Sequence, residues 1–249
     1  MRRTLVAGNW KMHGNSRSVE QLLGELKPSV AASAAEVAVI PPYLYLSQAM
    51  SLLADSDIAV GAQNVCKYRG EGAYTGEISA GMLKEFGCRY VLVGHSERRA
   101  LFGETDECVA EKLAVALEQG LQPILCVGES LEQRSAGETL RVVGRQLQAV
   151  LQGVNQPLDD MVVAYEPVWA IGTGETASPE QAQDVHAFIR QELATFDRGL
   201  SAKIRILYGG SVKAANAEEL FAQPDIDGGL VGGASLDASE FAAICKVVN

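Results

Sequence analysis

Short β-branched runs alternate with longer stretches of helical period along this chain, and no other feature narrows its architecture as far. The strand-like runs are Thr4–Trp10, Glu36–Pro41, Ile58–Gln63, Tyr90–Gly94, Pro123–Val127, Met161–Tyr165, Ile204–Tyr208 and Gly229–Val231. Most lack the polar alternation of a strand with one wet face, which predicts strands covered on both sides. Between them, Leu140, Val143, Leu147 and Val150/Leu151 form one apolar stripe, and Ala182, Val185, Ile189 and Leu193 form another. Ser178-Pro179-Glu180-Gln181 carries an N-cap, a proline at the first helical position and a capping-box glutamine. Gly199 marks the expected stop of that helix. Repeated strand-then-helix units predict a parallel α/β sheet. Roughly eight such units in about 250 residues is the size of a closed (β/α)8 barrel. No linker rich in Pro, Gly or Ser interrupts the chain, so residues 1–249 are expected to form a single domain. An open, doubly wound sheet fits the same periodicity and trails the barrel only modestly. In a barrel, chemistry belongs where strands end and loops begin.

Composition bears on partners. Lys and Arg number 21 against 31 Asp and Glu, a formal charge of −10, which disfavours nucleic acid or an anionic membrane as the main partner. A small anionic substrate stays open, because one local pocket can oppose the global sign. No apolar run approaches the ~18 residues of a membrane span. The opening stretch reaches Lys11 before a signal-peptide core could form. Cys66, Cys88, Cys108, Cys126 and Cys245 are odd in number and never arranged as Cys-x-x-Cys, which reads as reduced thiols rather than a disulfide frame or zinc site. His13, His95 and His186 share no metal-ligand spacing either. A cytoplasmic protein using no metal or cofactor is expected.

Polar groups gather at the expected strand ends: Asn9-Trp10-Lys11, Gly94-His95-Ser96-Glu97, Tyr165-Glu166-Pro167, Gly209-Gly210-Ser211 and Gly232-Gly233-Ala234-Ser235. Each alone reads as a solvated loop residue. Together they bring a cation, an imidazole, a carboxylate and glycine-rich turns to one mouth. His95 leaves a buried strand and precedes a helical segment, whose free amides disfavour a charged ring; a histidine satisfied by backbone is the competing reading. Glu166 follows an apolar strand and precedes Pro167, so a raised pKa and a role as base are expected. Glu97 falls in a first helical turn and is expected to act as an electrostatic cap, beside the reacting groups rather than among them. His13 and His186 are weaker candidates; His186, next to Val185 in a helix, is expected to be structural or exposed.

The run Pro167-Val168-Trp169-Ala170-Ile171-Gly172-Thr173-Gly174 carries apolar residues where a loop is expected. That suits a lid alternating between open and packed-down positions, or a loop docked permanently. Gly172-Thr173-Gly174-Glu175-Thr176-Ala177 matches a G-x-G-x-x-A nucleotide fingerprint, but no strand runs directly into it and Glu192 falls within a helix, so the dinucleotide reading fails on context. Gly209-Gly210-Ser211 and Gly232-Gly233, after the last two strands, favour a phosphorylated ligand.

These segments, in this order, resemble those of the triosephosphate isomerases. Asn9-Trp10-Lys11-Met12-His13-Gly14, Gly72-Ala73-Tyr74-Thr75-Gly76-Glu77, Gly94-His95-Ser96-Glu97-Arg98-Arg99 and Ala164–Gly174 carry the resemblance with the glycine turns, from Asn9 to Ser235. It implies cofactor-independent interconversion of dihydroxyacetone phosphate and glyceraldehyde 3-phosphate through an enediolate. By matching positions it implies Glu166 as the base, His95 as a neutral electrophile, and Asn9 and Lys11 on substrate. Gly172, Ser211, Gly232 and Gly233 are expected to bind phosphate, Pro167 to Thr173 to form the lid, and Cys126 to lie behind the reacting groups. The long Gln63–Ser79 loop, with Thr75 near its tip, is expected to enter a partner subunit and form a homodimer. Two other classes stand as comparisons. A Schiff-base lyase or aldolase would have only Lys11 to use, and borohydride trapping would reveal the imine. A non-catalytic sugar-phosphate binder would not exchange substrate hydrogen with deuterated water.

Overall fold

The computed structural model describes residues 2–171 and 176–247. Eight strands, β1 (Leu5–Asn9), β2 (Glu36–Ile40), β3 (Ala59–Ala62), β4 (Tyr90–Val93), β5 (Gln122–Val127), β6 (Val162–Tyr165), β7 (Arg205–Tyr208) and β8 (Gly228–Val231), close into a barrel in chain order. Every pairing is parallel, and β8 returns to β1 with Leu5 opposite Gly228 and Gly8 opposite Val231. The open doubly wound alternative is therefore excluded, and the strands fall within one or two residues of the expected runs.

Side chains alternate strictly, and both faces are dry. Leu5, Ala7, Ala38, Ile40, Tyr90, Leu92, Ile124, Cys126, Val162, Ala164, Leu207 and Leu230 fill the barrel as one buried cluster. The intervening Val6, Val37, Val39, Val91, Val93, Val163, Ile206 and Val231 face outward into a second cluster shared with the helices. This double burial explains the absence of polar alternation in the strand sequences. The period of two also aims the site: Asn9 continues the inward row of Leu5 and Ala7, and Glu166 that of Val162 and Ala164.

The helices of the outer ring are α1 (Ser16–Val30), α2 (Leu46–Leu53), α3 (Ala80–Glu85), α4 (Ser96–Phe102), α5 (Asp106–Glu118), α6 (Leu131–Ser135), α7 (Thr139–Gly153), α8 (Pro179–Phe196), α9 (Arg198–Lys203), α10 (Ala214–Phe221) and α11 (Ala238–Lys246). In α8 the expected capping box of Ser178 and Gln181 is present, and Ala182, Val185, Ile189 and Leu193 are buried. Gly199 does not end this helix. Asp197 does, in extended conformation, and its carboxylate accepts the Leu200 N–H at 3.0 Å to start α9, which contains Gly199. Leu140 leaves the expected stripe of α7 and is 48% exposed; the buried face begins at Val142 and Val143. Gln146 joins that face because its amide brackets the Gly128 backbone, accepting from its N–H at 2.7 Å and donating to its C=O at 3.2 Å. Among the described residues, no helix is long and apolar enough to cross a membrane.

The lower end of the barrel, where strands begin, is closed by charge. Glu36 accepts from Tyr90 Oη at 2.6 Å and pairs with Arg205 and Arg89, each at 2.7 Å. Arg205 also donates to Tyr90 Oη at 2.9 Å. Burial alone would raise the Glu36 pKa, but Tyr90 and the two guanidinium groups outweigh it and hold the carboxyl below its ordinary value.

Candidate active site

At the upper end the barrel opens into a cavity of about 370 Å³ lined by Asn9, Lys11, His13, His95, Glu166, Ile171, the Gly209–Lys213 turn, Leu230 and Gly232-Gly233-Ala234. Asn9, Lys11, His95, Glu166, Ser211, Gly232 and Gly233 thus border the same cavity. Gly172 and Thr173 lie outside the described residues.

The base candidate is deeply held. Glu166 is 2% exposed; its Oε2 accepts the Ser96 N–H at 2.8 Å, and its Oε1 lies 2.9 Å from His95 Nε2. Room for it depends on Gly128, where an added Cβ would stand 1.7 Å from the Glu166 carbonyl oxygen. Burial favours the neutral acid, but His95, the Ser96 amide and Lys11 outweigh it and lower the pKa of Glu166. The expected raised pKa does not hold in this arrangement, because its premise, an apolar surrounding, is replaced by two donors, the His95 ring and the Ser96 amide, and by the nearby charge of Lys11. Cys126 is fully buried with its Sγ 3.9 Å from the Ile124 carbonyl oxygen; burial first, then the Glu166 carboxylate, pushes its thiol well up.

His95 follows Gly94, whose φ of +71° turns the chain sharply out of β4. The ring caps α4: Nδ1 accepts the Glu97 N–H at 3.2 Å. This bond assigns the ring proton to Nε2, facing Glu166. Burial disfavours charge on the ring, yet Glu166 and Glu97 outweigh it here and raise the His95 pKa. The Glu97 amide works against that rise, since a second proton on Nδ1 would break the cap.

Lys11 adopts a positive φ of 51°, rare for a residue with a side chain. Two neighbours over-determine it. Asn9 Oδ1 accepts its N–H at 3.0 Å, and Gln63 Nε2 donates to its C=O at 2.7 Å. Its Nζ stands 2.5 Å from Glu97 Oε1, so Glu97 does sit in the first turn of α4 as a neighbour of the reacting groups. His186, by contrast, is structural: it is fully buried, hydrogen-bonded to the Asp225 carbonyl, and pushed down to about 3 by burial.

A sequence profile of the family described as Triosephosphate isomerase matches residues 4–248. The chain belongs to the triosephosphate isomerase family. It is 61% identical over 247 residues to the triosephosphate isomerase of Thiobacillus denitrificans, covering 99% of this chain and 98% of that one. The same-named protein of Pseudomonas putida is 57% identical over 250 residues, with both chains fully covered. That of Herminiimonas arsenicoxydans is 58% identical over 247 residues, 99% of each chain.

In this member of the triosephosphate isomerase family, the start of the expected lid is anchored by residues that sequence reasoning missed. Val168–Ala170 form a short 3-10 turn after Pro167, with Ala170 buried. Trp169 Nε1 donates to Glu129 Oε1 at 3.0 Å, and Arg134 stacks on its ring at 4.3 Å. Glu129, fully buried, also accepts from Tyr165 Oη at 3.1 Å. Glu129 and Gln63 carried no local signal, since each acts on residues distant in sequence.

Proposed function

We propose that this cavity interconverts dihydroxyacetone phosphate and glyceraldehyde 3-phosphate by moving a proton between adjacent carbons. The observation that carries the reading is the buried Glu166–His95 pair facing one small cavity with Lys11. Glu166 takes the proton from one carbon, the electron pair becomes the enediolate double bond, and the same carboxyl returns a proton to the neighbouring carbon. Nε2–H of His95 hydrogen-bonds the substrate oxygen as charge develops there, and the Lys11 ammonium offsets that charge. Asn9 fixes the Lys11 backbone and contacts substrate. The backbone at Ser211, Gly232 and Gly233 receives the phosphate, with Gly172 added when Pro167 to Thr173 close as a lid.

To act, Glu166 must leave both His95 and the Ser96 amide. Leaving them removes what depresses its pKa while burial remains, so basicity rises as the carboxylate reaches substrate. The same move takes away the chief influence raising the His95 pKa, and the ring stays neutral with its cap intact. The test is a coupled isomerisation assay run alongside deuterium exchange into substrate. Isomerisation with exchange is expected; binding of triose phosphate with neither would sink the reading.

The working unit in this proposal is a single-domain chain paired as a cytoplasmic homodimer, with no role for nucleic acid or membrane. Residues 68–77 are exposed throughout, and Met12, next to Lys11, is 94% exposed. The loop is nevertheless braced, with Tyr68 and Tyr74 stacked at 4.3 Å and the Cys66 N–H donating to Ile78 O at its base. An ordered protrusion and a bare apolar side chain beside the site support a partner surface. Thr75→Arg is expected to weaken association and activity in parallel; a fully active monomer in sedimentation would defeat the dimer.

A further inference from the structure

We propose that Lys213, at the start of α10, is the capture residue of this site, drawing an anionic substrate to the mouth without taking part in proton transfer. The inference rests on the triose-phosphate reading above. Its starting point is an electrostatic problem. The whole chain carries −10, so its far field opposes a dianion. The pocket floor does not reverse this. Lys11 is neutralised by Glu97 at 2.5 Å, and Glu166 adds a further negative charge facing the same space. The groups described so far thus leave the floor net negative towards an approaching phosphate. Backbone amides act strongly only at contact, and cannot attract over a distance.

Lys213 changes that balance. It lines the cavity, is exposed, and has no carboxylate within 4 Å among the described residues. Its position is fixed although its ammonium is free to move in water. The Lys213 N–H donates to Asn216 Oδ1 at 2.8 Å, and its C=O accepts from the Asn216 and Ala217 amides at 3.1 and 3.0 Å. Val212, immediately before it, is buried, so the root of the side chain cannot drift from the rim. The nearby Glu240 carboxylate is occupied by the Ala214 N–H at 2.8 Å. The result is a cation with no carboxylate partner among the described residues, on a turn that also carries Ser211, so a dianion drawn to it arrives beside the expected phosphate amides.

A unit charge about 10 Å from a dianion in water changes local concentration roughly threefold at low salt, and reversal of its sign roughly eightfold. Lys213→Met is therefore expected to lower kcat/KM about threefold and Lys213→Glu about eightfold near 10 mM ionic strength. Both deficits should shrink to less than about twofold near 0.3 M, where the Debye length is only some 5 Å. Lys213→Arg should match the parent at all salts, and kcat should not follow the charge. A deficit independent of salt, equal losses for the Met and Glu variants, or a fall in kcat matching that in kcat/KM would each overturn the assignment. Failure of the parent protein to turn over triose phosphate would instead overturn the functional reading on which it rests.

Discussion

The two ends of the barrel contain nearly the same ingredients and use them oppositely. Below, Glu36 is surrounded by Arg205, Arg89 and Tyr90, all supplied by the protein and all permanent. Above, Glu166 is held by the His95 ring and one amide, next to an open cavity whose cation is shared with Glu97. Both carboxylates are buried, and both are held below their ordinary pKa. The difference lies in replaceability. At the lower end the partners are side chains of the fold itself, so the charge there is a matter of stability. At the upper end a substrate can displace them, so the same interaction becomes a resting state to be left. A buried carboxylate acquires chemistry from what can compete for it.

The sharpest way to break this contrast is Glu166→Gln. It keeps the size but removes the base and one of its two acceptor oxygens, and kcat per folded molecule should fall by about 10²–10⁴. Near-parental turnover would place Glu166 with Glu36 as a structural acid. Lys11→Met should cost about 10²–10³ in kcat/KM, because the ammonium meets charge that develops only during reaction. An unchanged inhibition constant for a phosphate-bearing enediolate analogue would contradict that role.

The lower end should answer in the opposite coin. Arg205→Met leaves Glu36 poorly compensated and should destabilise folding by about 3 kcal/mol in urea titration, with kcat per folded molecule unchanged. The sign with pH follows from the depressed Glu36 pKa. Its stabilisation is full above the unfolded value near 4.3 and fades as pH falls through the lower folded value, so Arg205→Met should unfold at a higher pH on acidification. The smallest effect is expected at the lid anchor. Glu129→Gln weakens the hold on Trp169 by about 1 kcal/mol, changing turnover less than about tenfold. Acrylamide should then quench Trp169 more readily while Trp10, 1% exposed, stays shielded; equal quenching before and after would show that Glu129 does not hold the indole.

Much of the upper end was legible in the chain because its groups sit at the ends of strands that announce themselves by double burial. Asn9 and Glu166 extend an inward period, and His95 adjoins a helix start that could be read directly. The lower network was silent. Glu36, Tyr90 and Arg205 are far apart in sequence, 169 residues separating the first from the last, and each reads locally as an ordinary strand residue. The same holds for Gln63 and Glu129, whose partners are chosen by barrel closure. The misjudged pKa of Glu166 has this origin too: its apolar strand was visible, but the donors that face it come from the next strand end but one. Leu140 and Gly199 failed for a smaller reason, since stripes and stop signals blur near helix ends.

One further consequence follows from the ring of His95 serving as the N-cap of α4. The electrophile of the proposed reaction and the foundation of the helix bearing Glu97 are a single side chain. Caps of this kind are worth about 0.5–2 kcal/mol, and here the capped turn also carries the counter-charge of Lys11. Replacing the imidazole therefore withdraws a reagent and loosens the bench it stands on in one step. Selection for a better proton donor at this position is also selection on the local fold, which leaves the ring little freedom to vary independently of its surroundings.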